Sequence, residues 1–510
     1  MMELVSPNIL IIFTLLVGLL NLIIPFIKKE DTTIRTFLLT TLSIIFFINV
    51  LIIDWLFLHG ISAELELFHI DKYAIAFHLE PIGLIFLNLI SILWIFALMY
   101  TIKFLAVNQM ENSSRFLLFA NLSIMIGVTI ALAANLITLF IGYELLTLST
   151  IPLIAHKDGE NVSKGLFNYL KILLLSGLIL FLPAVIIIYV TVGHGNFTSG
   201  GFIAGHFSDN MATILLLMFV FGVSKAAVYP LHKWLPSAMV ASYPVSALLH
   251  AVVVVKTGLF CIYKILAYVF GLNFLHNLFL DYNWLILLPA FTIIYSSMQA
   301  LKYSQIKMVL AYSTINQLSI ALISAFLLTP KGLIAAIMHM VSHSFTKICI
   351  FYSAGNMYSV KNSYKVVELI GIRDVMPKTS FILLIAGLSL MGIPPFAGFI
   401  SKFYIMLAAA EEENLVVMIT LGISTLFSAI YMIRMLIFVY RPVNKKFNSH
   451  VKLKSQFYEL NENGKINYRK MPKAELKLPS LMIYSLAFCL LGVIFFLPLQ
   501  QVIQQFLIYL

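Results

Sequence analysis

Apolar residues along this chain fall in long continuous runs, not in one-sided stripes. A run such as 82–102 stays apolar on every side, and about 20 residues of that kind carry an α-helix across roughly 30 Å of hydrocarbon. Membrane strands would alternate polar and apolar positions, which these runs do not. The pattern predicts fourteen spans: 8–27, 36–58, 82–102, 116–134, 136–155, 165–190, 211–232, 243–268, 283–301, 308–328, 332–358, 379–408, 415–440 and 479–499. The stretch between Arg115 and His156 holds two passes joined by a tight turn near Asn135. The expected fold is an all-α polytopic membrane bundle.

Composition agrees. Of 510 residues, 61% are hydrophobic and 11% charged, and the mean hydropathy is +0.98. Soluble domains are nearer half apolar and a quarter charged, so a soluble protein is excluded. The net charge of +11 has a topological origin. Loops after odd-numbered spans hold every loop cation except Lys72 and Lys331, whereas even-numbered loops carry acids such as Glu64, Glu66, Asp209 and Glu411 to Glu413. By the positive-inside rule the odd loops face the cytoplasm and both termini face outward. The basic excess therefore does not imply nucleic acid. The N-terminal segment contains Glu3 and no positive n-region, so the first run is expected to stay as an anchor and not to be a cleaved signal. Residues 441–478 are the one long polar stretch, expected as a cytoplasmic loop near lipid. Cys261, Cys349 and Cys489 lie far apart in apolar runs, without a CxxC pair or Cys/His cluster, and no metal site is expected.

Six of the 33 Lys/Arg lie inside spans: Lys225, Lys256, Lys264, Lys347, Lys402 and Arg434. Lys264 and Arg434 lie toward helix ends, where they could snorkel, and a structural role is expected of them. Each of the other four costs about 2.5–3.5 kcal/mol at the bilayer centre on insertion scales, and such residues usually mark an ion path. Glu144 stands as the one acid deep inside a span and the expected partner of a buried lysine; protonation of one member of such a pair alters the other. In span 11, His339, His343 and Lys347 recur at i, i+4 and i+8 and share one face, a stripe of about 12 Å. Histidine passes protons between its two nitrogens near neutral pH, which favours a relay over helix–helix hydrogen bonding. Zinc is disfavoured, because HMVSH lacks the glutamate of HExxH and a third ligand. His250, six residues before Lys256, is either a second relay group or a packing residue.

Prolines interrupt two spans. Span 7 holds Lys225 before Pro230 and Pro236, and span 12 holds Pro394, Pro395 and Gly398 before Lys402. Proline removes a backbone hydrogen bond, and discontinuous helices in corresponding places of two halves point to a transport site. Five spans separate the two breaks, so they cross in opposite directions. That arrangement predicts two inverted five-helix repeats, spans 4–8 and 9–13.

SKAAVYPLHKWLPSAMVASYPVSALLHAVVVVKTG, YSQIKMVLAYSTINQLSI, HMVSHSFTKICIFYSAGNMY and GLSLMGIPPFAGFISKF together resemble the antiporter-like proton-pumping subunits of respiratory complex I (NADH–quinone oxidoreductase), membrane hydrogenases and Mrp-type cation/proton antiporters. The resemblance covers roughly residues 80–440. It implies fourteen helices with inverted repeats, no bound redox cofactor in the subunit, and other membrane subunits as partners. By position, Glu144 and Lys225 match the family's acid–lysine pair at the entry half-channel. Lys256 matches the central lysine, His250 a histidine of some members, and His339, His343 and Lys347 the connecting stripe. Lys402 matches the terminal lysine of the exit half-channel, a lysine in Mrp D-type subunits and in the largest complex I member, where the middle complex I member has Glu. Tyr143 stands where many members have Trp.

The expected organisation is one membrane domain. Spans 1–3 occupy 1–110, the repeats 115–268 and 283–440, the polar loop 441–478, and the last span and tail 479–510. The expected function is proton translocation in an Mrp D-like subunit of a bacterial plasma-membrane antiporter exchanging H⁺ for Na⁺ or K⁺. A redox-driven pump subunit is the alternative, and a non-transporting scaffold the third.

Overall fold

The computed structural model describes residues 7–27, 32–71, 73–156 and 159–442, with two short paired strands, Glu459–Leu460 and Ile466–Asn467. The expected last span, 479–499, and most of the polar 441–478 segment lie outside the described residues. So do Glu3, Lys28, Lys29 and Cys489.

The described chain is almost entirely helical. Its elements are α1 (Pro7–Ile23), α2 (Thr32–Leu58), a hairpin of β1 (Glu64–Ile70) and β2 (Tyr73–His78), α3 (Pro81–Val107), α4 (Ser113–Ala131), α5 (Leu136–Ile154), α6 (Glu160–Thr191), α7 (Asp209–Gly222), α8 (Tyr243–Phe270), α9 (Trp284–Lys302), α10 (Ile306–Ala325), α11 (Pro330–Lys361), α12 (Pro377–Met391), α13 (Ala397–Glu411) and α14 (Leu415–Tyr440). Eleven of these are long and apolar enough to cross a membrane by themselves. Two further crossings are interrupted ones. In span 7, α7 gives way at Val223 to short turns that continue to Val240, and in span 12, α12 and α13 are separated by Gly392–Phe396. The protein is an integral, multi-pass, all-α membrane protein, and its thirteen described crossings match the first thirteen sequence runs.

Helix starts follow local chemistry. Pro81, Pro330 and Pro377 occupy first helical positions, where a missing N–H costs nothing. Asn135 caps α5 by accepting from Thr138 N at 2.8 Å, which sets the tight turn expected there. The hairpin stands where the sequence pattern led to the expectation of an acidic loop. Strand β2 docks on the α4–α5 turn, with Ala134 N donating to Ala76 O (3.0 Å) and His78 N to Leu132 O (2.8 Å).

Burial places the centre. The apolar window of α8 is 100% buried and that of α11 89%, against 39% for α1 and α14. The helices that carry Lys256 and the histidine stripe therefore form the core, and α1, α2 and α14 turn apolar side chains outward.

Candidate functional site

The first interruption is built around Lys225. With α7 ended, the Lys225 backbone N–H donates to the Tyr143 hydroxyl (3.1 Å), and Trp234 Nε1 donates to Ser224 O (2.8 Å). A helix could not present these groups, since their partners would be its own turns. The Lys225 ammonium is fully buried. It donates to Tyr143 O and to Thr147 Oγ1, both at 2.7 Å, and lies 3.2 Å from the centre of the Tyr143 ring. Glu144, between those two residues on α5, forms no ion pair with it. Both carboxylate oxygens are buried with no hydrogen-bond partner among the described residues, packed where Gly177 of α6 lacks a side chain. The expected acid and lysine are neighbours, but Lys225 is held by α5 backbone and hydroxyl oxygens.

Lys256 is the hub. A π-helical turn at Leu248–Val252 distorts α8 one turn before it, a device common at functional sites. The freed His250 carbonyl accepts from Lys256 Nζ at 2.9 Å, and His343 Nδ1 lies 3.0 Å from the same ammonium. The His250 ring packs on Phe351 at 4.8 Å, and neither ring nitrogen has a hydrogen-bond partner among the described residues. Gly258, half a turn past Lys256, lies against the backbone of Lys225 and Ala226, so the interrupted span abuts the central helix.

From Lys256 the line continues along α11. The His343 and His339 rings are nearly parallel (4°), their centres 6.3 Å apart. His339 Nδ1 is 3.0 Å from Ser401 Oγ on α13, the residue beside Lys402. Lys347 turns toward α10, donating to Leu310 O at 3.1 Å and to Ser313 Oγ. Lys402 spans the second interruption, with its ammonium 3.1 Å from both Leu390 O and Met391 O at the end of α12. Terminal carbonyls carry the negative end of a helix dipole. Ser389 closes the same turn: its hydroxyl accepts from Gly398 N (3.3 Å) and lies 2.9 Å from Thr346 Oγ1. The structure thus brings Lys256, His343, His339 and Lys402 into one line, sets Lys347 to its side, and leaves Lys225 joined to Lys256 through Gly258.

Lys264 and Arg434 have structural roles, although neither snorkels. Lys264 is fully buried in an ion pair with Glu80 (2.9 Å) at the start of α3. Arg434 is tied to backbone. It caps α9 by donating to Leu301 O (2.5 Å), Tyr303 O (2.7 Å) and Ala300 O (3.3 Å). Glu144 is therefore not the one buried anion. Glu80 precedes its apolar run and so reads as a loop acid, while Asp54, near the end of span 2, accepts from Asn88 at 2.8 Å. Thr147 and Ser401 were also missed. Each lies on the same helix as a predicted group, three residues or fewer away, so helical spacing was the available signal.

Comparison with known proteins places this architecture. Residues 133–428 match the family model described as NADH:quinone oxidoreductase/Mrp antiporter, TM. A putative antiporter subunit mnhA2 of Staphylococcus aureus (strain MRSA252) is 29% identical over 412 residues, 75% of this chain and 50% of the relative. The protein of the same name in Staphylococcus saprophyticus is 30% identical over 393 residues, 71% of this chain and 48% of the relative. The chain spans about half the length of these curated relatives. Among solved structures, a chain of the Mrp complex from Dietzia sp. DQ12-45-1b aligns with a TM-score of 0.79 at 18% identity, covering 98% of this chain and 96% of the other. A chain of the membrane-bound sulfane sulfur reductase, an archaeal respiratory membrane complex, aligns with 0.78 at 19% identity, covering 97% and 96%. These two show the shared fold. With its family model matched over more than half its length, the chain belongs to the NADH:quinone oxidoreductase/Mrp antiporter transmembrane family.

Proposed function

We propose that this chain is the proton-translocating membrane subunit of a multisubunit Mrp-type monovalent cation/proton antiporter, D-like in its terminal Lys402, working in a bacterial plasma membrane with its odd loops in the cytoplasm. The observation that carries the reading is the row of buried groups that starts at Lys256, 3.0 Å from His343 Nδ1, crosses the 6.3 Å between the parallel His343 and His339 rings, and ends at Ser401 beside Lys402. A proton enters at the interrupted span 7, is exchanged between Glu144 and Lys225, and passes to Lys256. A neutral histidine takes a proton at one nitrogen and releases another from the opposite one, so His343 and His339 carry it to Lys402 and the opening in span 12. His250 stands beside this line as a further acceptor. Buried ammonium groups repel Na⁺ and K⁺, which prefer oxygen ligands, so the exchanged cation crosses elsewhere in the assembly. The relatives' name, antiporter subunit, supports the same reading.

Proton flux in vesicles carrying Lys225→Ala or Glu144→Ala tests it. Flux should collapse in both, and undiminished flux in both rejects the relay. The same chemistry would serve a redox-driven complex, and the family description names both assemblies. Copurification separates them, since peripheral iron–sulfur subunits mark the pump and small hydrophobic antiporter subunits mark Mrp. A non-transporting scaffold has no use for four buried lysines.

A further inference from the structure

A second set of buried charges lies two helical turns from Lys256. Lys264 is eight residues further along α8, on the same face, and about 12 Å away along the axis. Its ammonium is 2.9 Å from Glu80 Oε2, donates to Ala133 O at 2.5 Å, and lies 4.2 Å from the centre of the Phe197 ring. Three groups thus surround the ammonium. They come from the start of α3, the α4–α5 turn and the loop before α7, all at the even-loop end of the bundle. Midway between the two lysines, Phe260 stacks on Phe86 of α3, with centres 4.6 Å apart and planes 21° from parallel.

A relay that exchanges protons in turn needs each repeat open toward one face only. On the relay reading the proton enters the first repeat at the interrupted span 7 from the odd-loop side, and α8 continues from Lys256 to the even-loop end of the bundle. If that end of α8 were wet, Lys256 would be connected to both faces at once. We propose that the Phe86–Phe260 stack and the Glu80–Lys264 pair form the seal of the first repeat. They make a dry aromatic layer backed by an ion pair in which the Lys264 ammonium balances the buried Glu80 carboxylate. Fixed charge and apolar constriction are the ordinary means by which membrane pores exclude ions. The seal rests on the relay reading, since without a relay there is nothing to isolate.

The test is the decay of an imposed pH gradient in vesicles holding the intact complex, with choline as the sole bulk cation so that exchange is idle. Two variants are used, the double Glu80→Gln/Lys264→Met and the single Phe260→Ala, each with and without Lys225→Ala. Passive proton entry should rise about tenfold in both, equivalent to about 1.4 kcal/mol off the barrier, and fall back when Lys225→Ala closes the other entrance. An unchanged leak in a variant present at wild-type level would overturn the seal and leave the pair as a tie between α3 and α8. A leak that persists in the Lys225→Ala background would overturn it as well, because the opening would not be onto the relay. Where the double variant fails to insert, Phe260→Ala, which keeps both charges, decides by the same two outcomes. The relay itself is judged separately, by driven flux in Lys225→Ala and Glu144→Ala alone.

Discussion

Gly177→Ala should cut transport sharply while keeping every titratable group in the chain. A Cβ at Gly177 would lie 1.8 Å from Glu144 Oε1 and 2.9 Å from its Cδ. An ordinary carbon–oxygen contact is about 3.3 Å, so the carboxylate must retreat by about 1.5 Å. The atoms in the way are the tip of a flexible side chain, so the backbone need not move, and Ala is the better helix former by roughly 0.8–1 kcal/mol. Misplacing a reacting group by about 1 Å can cost about 100-fold. Driven proton flux is therefore expected to fall by about 10- to 100-fold, with the membrane content of the complex unchanged. Gly422→Ala is the control: it is also inside a spanning helix, with nothing within 4 Å of its added methyl, and should transport normally. Wild-type flux in Gly177→Ala would show that the position of the Glu144 carboxylate does not matter, and loss of the assembled protein would show that the clash reaches the fold.

Other substitutions separate transport from stability. Lys256→Met removes the hub that contacts His250 O and His343; flux should be lost while the complex stays assembled, because a buried cation replaced by an apolar side chain of similar size is often tolerated. Gly398→Ala puts a methyl 1.8 Å from the Ser389 carbonyl, a backbone atom that cannot swing aside. Overpacking of this kind costs about 1–3 kcal/mol, so both membrane content and flux should fall, unlike Gly177→Ala. Arg434→Met strips three carbonyls of their donor; at about 1.5–3 kcal/mol for a charged hydrogen bond, the thermal midpoint in detergent should drop while flux per assembled complex holds.

The span pattern was legible because crossing a bilayer imposes a length, and in-span lysines stood out because hydrocarbon makes them costly. The interruptions were legible from Pro230, Pro394 and Pro395, although α7 stops at Gly222, well before Pro230. There the Gly222 backbone packs against Phe181 so closely that a Cβ would sit 2.6 Å from its nitrogen, a tertiary constraint that hydropathy does not carry. The hairpin was legible in principle: Glu64, Leu65, Glu66 and Leu67 alternate with period two, the mark of a strand, but the reading of the loop stopped at its charge. What holds Lys264 was not legible. Its partner Glu80 comes from α3, and no local pattern announces a pairing across that distance.

The partners of the in-span cations separate relay from scaffold in a way that residue type does not. Lys225 rests on Tyr143 O, Lys256 on His250 O, Lys347 on Leu310 O, and Lys402 on Leu390 O and Met391 O. Of the six, Lys264 alone has a carboxylate within ion-pair distance. Taking the proton from Lys264 would strand a buried anion, which is strongly destabilising. Taking it from Lys256, Lys347 or Lys402 strands no paired carboxylate, at Lys225 the neighbouring Glu144 can hold the proton instead, and each neutral amine keeps enough hydrogens to go on donating to the same oxygen. Carbonyl cradles therefore allow a lysine to cycle, and a carboxylate cradle fixes it. Any residue can supply a carbonyl, so this distinction is written in the backbone, at Lys256 in the π-turn of α8 and at Lys402 in the interruption of span 12, and not in the side chains that a sequence displays.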